Sequence, residues 1–230
     1  MIYYHKGDSV PEFSIIDSLV KTVEDWHRMA FMHRVKIFLT KSMNEYKNRT
    51  GTTARFVTMP MEGRIFISPA AKSDFRQGTI HLGIYLKHEL SHSILYQNTS
   101  LFRSLRYPGW FMEGLAMYSS GQCGTDGYYT FDQVREKMNT GIFVEPTDWG
   151  TIVSSKGPTV TKCPVPDKYH FIYSEFALIV CSLESKIGRN RFTDFIRQSL
   201  KSPDFGEEFK NTFGMDLSNY LADFKKTTIQ

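Results

Sequence analysis

Cysteine is scarce in this chain: three residues, Cys123, Cys163 and Cys181, an odd number with no CxxC pair among them. That excludes a disulfide framework and a cysteine-built zinc cluster, and it implies reduced, buried thiols, with a bridge between Cys123 and Cys163 as the alternative. Long apolar runs are also missing, and none approaches the length that spans a bilayer. The opening MIYYHKGDS has neither the charged start nor the apolar middle of a secretory signal. A cytoplasmic protein is the default expectation, or an exported or anchored one if Met1 is not the native start. No run of Lys or Arg is long enough to track a phosphate backbone: 28 basic and 24 acidic residues, net +4, are scattered, so no nucleic-acid partner is expected. Internal repeats and low-complexity segments are absent.

What is present is enough apolar residue, 41% of 230, to bury a proper core in one domain or in two small lobes that share a cleft. SVPEFSIIDSLVKTVEDWHRMAF, with Ser9 as cap, Pro11 in the first turn and Phe13, Ile16, Val20, Val23 and Trp26 at three- and four-residue steps, predicts a helix from about 10 to 31. HRVKIFLT alternates through Val35, Ile37 and Leu39, and ARFVTMP and GRIFISP read as two strands around a turn at Met61, Glu62 and Gly63. Beyond residue 75 the pattern turns helical. Leu82, Leu86, Leu90 and Ile94 form an i, i+4 stripe expected to face the core, with the opposite side of that helix free for other work. Helices follow at WFMEGLAMYSS, FDQVREKMN, Tyr169 to Ile187 (stopped by Gly188), RFTDFIRQSL and MDLSNYLADF, with a loop-rich stretch from Thr140 to Asp167 that either overhangs a cleft or is plain surface.

On the stripe-bearing helix lies KHELSHSIL, with His88 and His92 four apart and Glu89 beside the first. Residues four apart share a helix face, so both imidazoles can reach one tetrahedral ion. Glu89 sits about 100° round the axis from His88, where it can serve as a base without ligating. With seven His and twelve Glu in the chain, chance supplies roughly 0.01 such HExxH patterns. The alternative reading is a pair of solvated or core-capping histidines. Catalytic zinc takes three protein ligands and an open position. Glu113, in PGWFMEGLAMY, is a carboxylate among apolar neighbours, where it is costly unless paired or bound to a cation. Pairing with Arg103 or Arg106 is the other explanation. His81 lies about 10 Å along the axis from His88, too far to join the same ion, and reads as a cleft or capping residue. His5, His27 and His33 have no companions that suggest ligation.

HELSH followed by WFMEGLAMY resembles the gluzincin metallopeptidases of the peptidase MA clan, the group that includes thermolysin and aminopeptidase N. The order of sheet, active-site helix, glutamate helix and helical C-terminal part is similar over most of the chain, and most similar to small single-module members. The resemblance implies a zincin-like α+β fold: a small N-terminal mixed sheet with a helix over residues 1–75, and a mainly helical lobe over 76–230 that carries the HExxH helix. It implies a zinc metallopeptidase acting on peptides or proteins, with no nucleotide cofactor, in which His88, His92 and Glu113 are ligands and Glu89 is the general base. The chain departs from the pattern in having Met112 where those enzymes have an Asn, and Met117 where thermolysin carries an Asp. The family supplies an oxyanion donor downstream of the third ligand. YHFIYSEFALIV offers Tyr173 first, then His170 and Tyr169. In zincins the strand before the active-site helix is an open edge that pairs with substrate; GRIFISPAA holds that place, with Arg64, Phe66 and Ser68 alternating against Ile65 and Ile67, a fully paired strand being the alternative. Met61 and Glu62 faintly resemble the motif that anchors the free amine in aminopeptidases. The runner-up function is a catalytically inactive zinc-binding module of the same fold that recognises peptides. A third is a structural domain without metal. Oligomeric state is not legible.

Overall fold

Val35, Ile37 and Leu39 turn to the same side of an extended segment, and all three are buried. They introduce the β-part of an α+β fold, seen in a computed structural model that describes residues 1–5, 15–60 and 63–228. The chain divides into two units, Met1–Leu101 and Phe102–Gln230. The sequence had placed the division at residue 75; at Leu101 it groups the HExxH helix with the sheet.

The first unit contains β1 (Ile2–Tyr3), α1 (Ile16–His27), β2 (Ile37–Leu39), α2 (Met43–Thr50), β3 (Phe56–Met59), β4 (Arg64–Ile67), α3 (Pro69–Arg76) and α4 (Leu82–Gln97). Its mixed sheet has the order β1-β2-β4-β3, parallel except for the β3–β4 hairpin. The proposed cap and first turn of α1, at Ser9, Pro11 and Phe13, lie outside the described residues, as do Met61 and Glu62. The helix ends at His27 rather than 31, because Arg28 adopts a left-handed conformation (φ 51°) that closes the last turn. β4 is not the open edge expected of it. It pairs with β2 on one side and β3 on the other, so among the described residues the edge strands are β1 and β3. Nor does it alternate between core and solvent: Ile65, Phe66, Ile67 and Ser68 are all buried, as suits an interior strand covered on both faces. The strand stops where Ser68 caps α3 through the Ala71 amide (3.1 Å) and Pro69 opens the helix.

One face of the sheet carries an aromatic row across three strands, Tyr3 on Phe38 at 4.4 Å and Phe38 on Phe66 at 4.9 Å. The register makes Ile37, Ile65 and Thr58 one row of the other face, and Leu39, Ile67 and Phe56 the next. Against β3 lies α4. Phe56 stacks on Tyr85 at 5.1 Å and Thr58 hydrogen-bonds Glu89, so two residues of strand match one turn of helix. One turn on, the Ser93 hydroxyl donates to the Gly63 carbonyl (2.7 Å) at the hairpin tip. Gly63 has φ 58°, and a Cβ there would fall 2.6 Å from Ser93 Oγ, so glycine meets both the turn and the close approach.

Leu101–Ser104 forms a short helical turn, α5, at the boundary. The second unit holds α6 (Gly109–Ser120), α7 (Phe131–Asn139), α8 (Pro158–Thr161), α9 (Lys168–Ile187), α10 (Arg189–Ser199), α11 (Phe205–Phe213) and α12 (Leu217–Thr228). α6 and α9 touch backbone to backbone: a Cβ at Gly114 would lie 2.7 Å from the Phe176 carbonyl oxygen. Trp110, Phe111, Phe192, Phe195 and Phe209 build a buried aromatic core. The stretch from 140 to 167 is loop-rich, as its composition implied, yet Val144, Trp149, Val160 and Val165 are buried. It is pinned down by Asp148, whose carboxylate accepts from the Thr159 amide (2.8 Å) and hydroxyl (2.7 Å). All three cysteines are free thiols. Burial pushes that of Cys123 up to about 12. Among the described residues no helix is long and apolar enough to cross a membrane.

Candidate functional site

α4 is more deeply embedded than its apolar stripe suggests. Every residue from His88 to Leu95 is buried, so the side opposite the stripe is not left to solvent. Contacts on several sides fix its rotation within the first unit. Tyr85, Glu89 and Ser93 face the β3–β4 hairpin. On another side Ser91 meets the buried His27 of α1, Oγ to Nε2 at 2.7 Å. At its C-terminal end, Gln97 accepts from the His33 amide (2.8 Å) and the Asn98 side-chain amide donates to the Ala30 carbonyl (3.0 Å), tying down the chain between α1 and β2.

His88 and His92 project between these fixed sides. Their Nε2 atoms lie 3.1 Å apart, with the rings steeply inclined at 74°. Their relative exposures are 6% and 8%, low enough that solvent alone does not account for two polar rings meeting nitrogen to nitrogen. Tyr96, one turn on, stacks along His92 with centroids 6.3 Å apart.

Glu89 is equally buried at 6%. Thr58 donates to its Oε2 at 2.6 Å and is also 3.0 Å from its main-chain oxygen. The fully buried Tyr46 hydroxyl of α2 has no hydrogen-bond partner among the described residues. Burial first, and the charge of Glu89 second, hold its phenol above the ordinary range.

The third-ligand and oxyanion candidates belong to the second unit. Glu113 is half-buried on α6, between buried Met112 and the Gly114 that packs on α9. Lys156, in the 140–167 stretch, places its ammonium 3.6 Å over the Trp149 ring and donates to the Trp149 carbonyl (2.8 Å). Burial lowers the pKa of Lys156, while the charge of Glu113 acts the other way. Tyr173 is half-buried on the first turns of α9, its ring edge-on to Trp149 at 5.3 Å. His170 turns instead to Tyr128, 4.3 Å away, and Tyr169 is exposed. His81 stands at the N-terminal boundary of α4, where its side chain makes no capping bond.

Sequence reasoning missed Thr58, Tyr46, Lys156 and the His27–Ser91 pair. Each reaches its partner, or the charge it feels, only after folding brings distant segments together. The reading of ARFVTMP as a strand left open what Thr58 would meet.

No family model, curated protein or solved structure matches this chain.

Proposed function

We propose that the chain is a zinc-dependent peptidase of gluzincin type, in which His88, His92 and Glu113 hold one metal ion and Glu89 is the general base. The observation that carries the reading is the 3.1 Å approach of the two histidine Nε2 atoms on one buried helix face. Two imidazole nitrogens bound to one tetrahedral zinc at about 2.0–2.1 Å lie about 3.3 Å apart, so the pair needs only a few tenths of an ångström to accept the ion. Two neutral imidazoles and a carboxylate are the donor set of catalytic sites that keep a position open. A mixed sheet with the HExxH helix along its antiparallel edge strand supports the zincin-like fold.

When bound, the ion supplies Lewis acidity to a water molecule and to the carbonyl of the peptide bond. Glu89 takes a proton from that water and returns it to the departing amine. Tyr173 offers its hydroxyl to the oxyanion that develops on the carbonyl. The outer side of β3 is where an extended peptide adds a strand, since its other side is paired with β4.

Elemental analysis of the purified protein, followed by cleavage of a peptide library with and without chelator, tests the proposal. The expected result is close to one zinc per chain and chelator-sensitive cleavage. Bound zinc with no cleavage of any peptide identifies an inactive peptide-binding module instead. No zinc and no thermal shift on adding it leaves a structural domain in which His88 and His92 merely hydrogen-bond each other.

A further inference from the structure

The row Ile37, Ile65, Thr58 crosses three strands, and the row beside it is Leu39, Ile67, Phe56. Five of these six side chains are apolar, and Thr58 alone carries a hydroxyl. A β-branched residue suits the strand, but Val would satisfy that preference and the packing equally well. The hydroxyl is what needs explaining. It has one hydrogen and two acceptors in reach, Oε2 of Glu89 at 2.6 Å and the Glu89 main-chain oxygen at 3.0 Å. The shorter contact has the length of an O–H···O bond to an ionised carboxylate, so the hydrogen goes there.

We propose that Thr58 is a positioning residue for the general base, its hydroxyl holding Oε2 of Glu89 so that the other carboxylate oxygen is presented for proton transfer. This rests on the peptidase reading above. A glutamate has three side-chain torsions, and loss of one anchor lets the carboxylate swing by more than the ångström that separates productive from unproductive geometry. Thr58 is itself held on both sides in sequence. Phe56 stacks on Tyr85, and Gly63 at the hairpin tip is clamped by Ser93. Positions 85, 89 and 93 are successive turns of α4, so strand and helix are matched at three points and Thr58 is the middle one. Proton transfer is thereby tied to the edge strand, although Thr58 itself touches no reacting atom.

The test compares wild type, Thr58→Val and Thr58→Ser as full-length zinc-loaded protein. Thr58→Val is expected to keep its zinc content and thermal midpoint, to lower kcat by about 10- to 100-fold, and to leave KM within about twofold. Thr58→Ser, which restores the hydroxyl, is expected to recover kcat to within about threefold of wild type. Crystal structures of wild type and Thr58→Val give a readout independent of turnover: one Glu89 rotamer in the first, more than one or a displaced one in the second. If wild-type protein cleaves nothing, the peptidase reading fails, and the crystallographic comparison still decides whether Thr58 positions Glu89. A Thr58→Val protein with wild-type kcat, or with Glu89 unmoved, overturns the inference. So does a Thr58→Ser protein as impaired as Thr58→Val.

Discussion

His88 Nε2 and His92 Nε2 stand 3.1 Å apart, one helical turn from each other, in side chains that are nearly buried. On the proposed reading these two donors bind one ion jointly, and removing either ring leaves an incomplete set. His88→Ala and His92→Ala are each expected to lose stoichiometric zinc. In wild type, zinc added to metal-free protein at 100 times its dissociation constant should stabilise by about 2.7 kcal/mol, and neither variant should gain this. Thermal midpoints with and without zinc, together with elemental analysis, measure both effects.

The seat of α4 depends on Gly63. Its φ of 58° disfavours any side chain, and an added Cβ would sit 2.6 Å from Ser93 Oγ and 2.8 Å from the Ser93 carbonyl oxygen. Gly63→Ala should therefore destabilise by about 2 kcal/mol or more. Urea unfolding measures the loss, and the variant should unfold at lower denaturant with the same slope.

Glu175 provides a test in pH. It is fully buried on α9, and burial raises its pKa well above the ordinary glutamate value, although the Val144 amide, 3.2 Å from each carboxylate oxygen, pulls the other way. A carboxyl whose folded pKa is raised binds more protons folded than unfolded, so its stabilising effect is complete below the unfolded value of about 4.3 and is lost as pH rises towards the folded value. Glu175→Gln keeps an acceptor for Val144 and cannot ionise. Its stability relative to wild type should grow as pH rises from about 4 through that window, by no more than about 1.4 kcal/mol per pH unit. Urea midpoints of both proteins from acid to neutral pH check the sign, and a difference that shrinks with pH contradicts it.

Periodicity revealed the larger elements because they bury one face. The stripe of Leu82, Leu86, Leu90 and Ile94 marked α4, and all four residues are buried. It misled about the opposite face, because burial around α4 is completed by hydrogen-bonded polar residues, Ser91 to His27 and Ser93 to Gly63 among them. α2 and α11 were missed. Their signals are at their ends, Ser42 and Asp204 as N-caps and Gly51 and Gly214 in left-handed closing positions, rather than in a long apolar repeat. The place of β4 inside the sheet was beyond local pattern as well, since strand order is decided by pairing between distant segments. His88, Glu89 and His92 were legible because their spacing is a property of one helix. Thr58 was not, since 31 residues separate it from Glu89.

The most direct measurement is zinc content and peptide cleavage of Glu89→Gln beside wild type. Glutamine keeps the size of the side chain and can still accept from Thr58, so the helix and its histidines are undisturbed. The account predicts unchanged zinc and a fall in cleavage of about 10²- to 10⁴-fold, the contribution of a general base. A Glu89→Gln protein that holds zinc and retains most of the wild-type rate would contradict it.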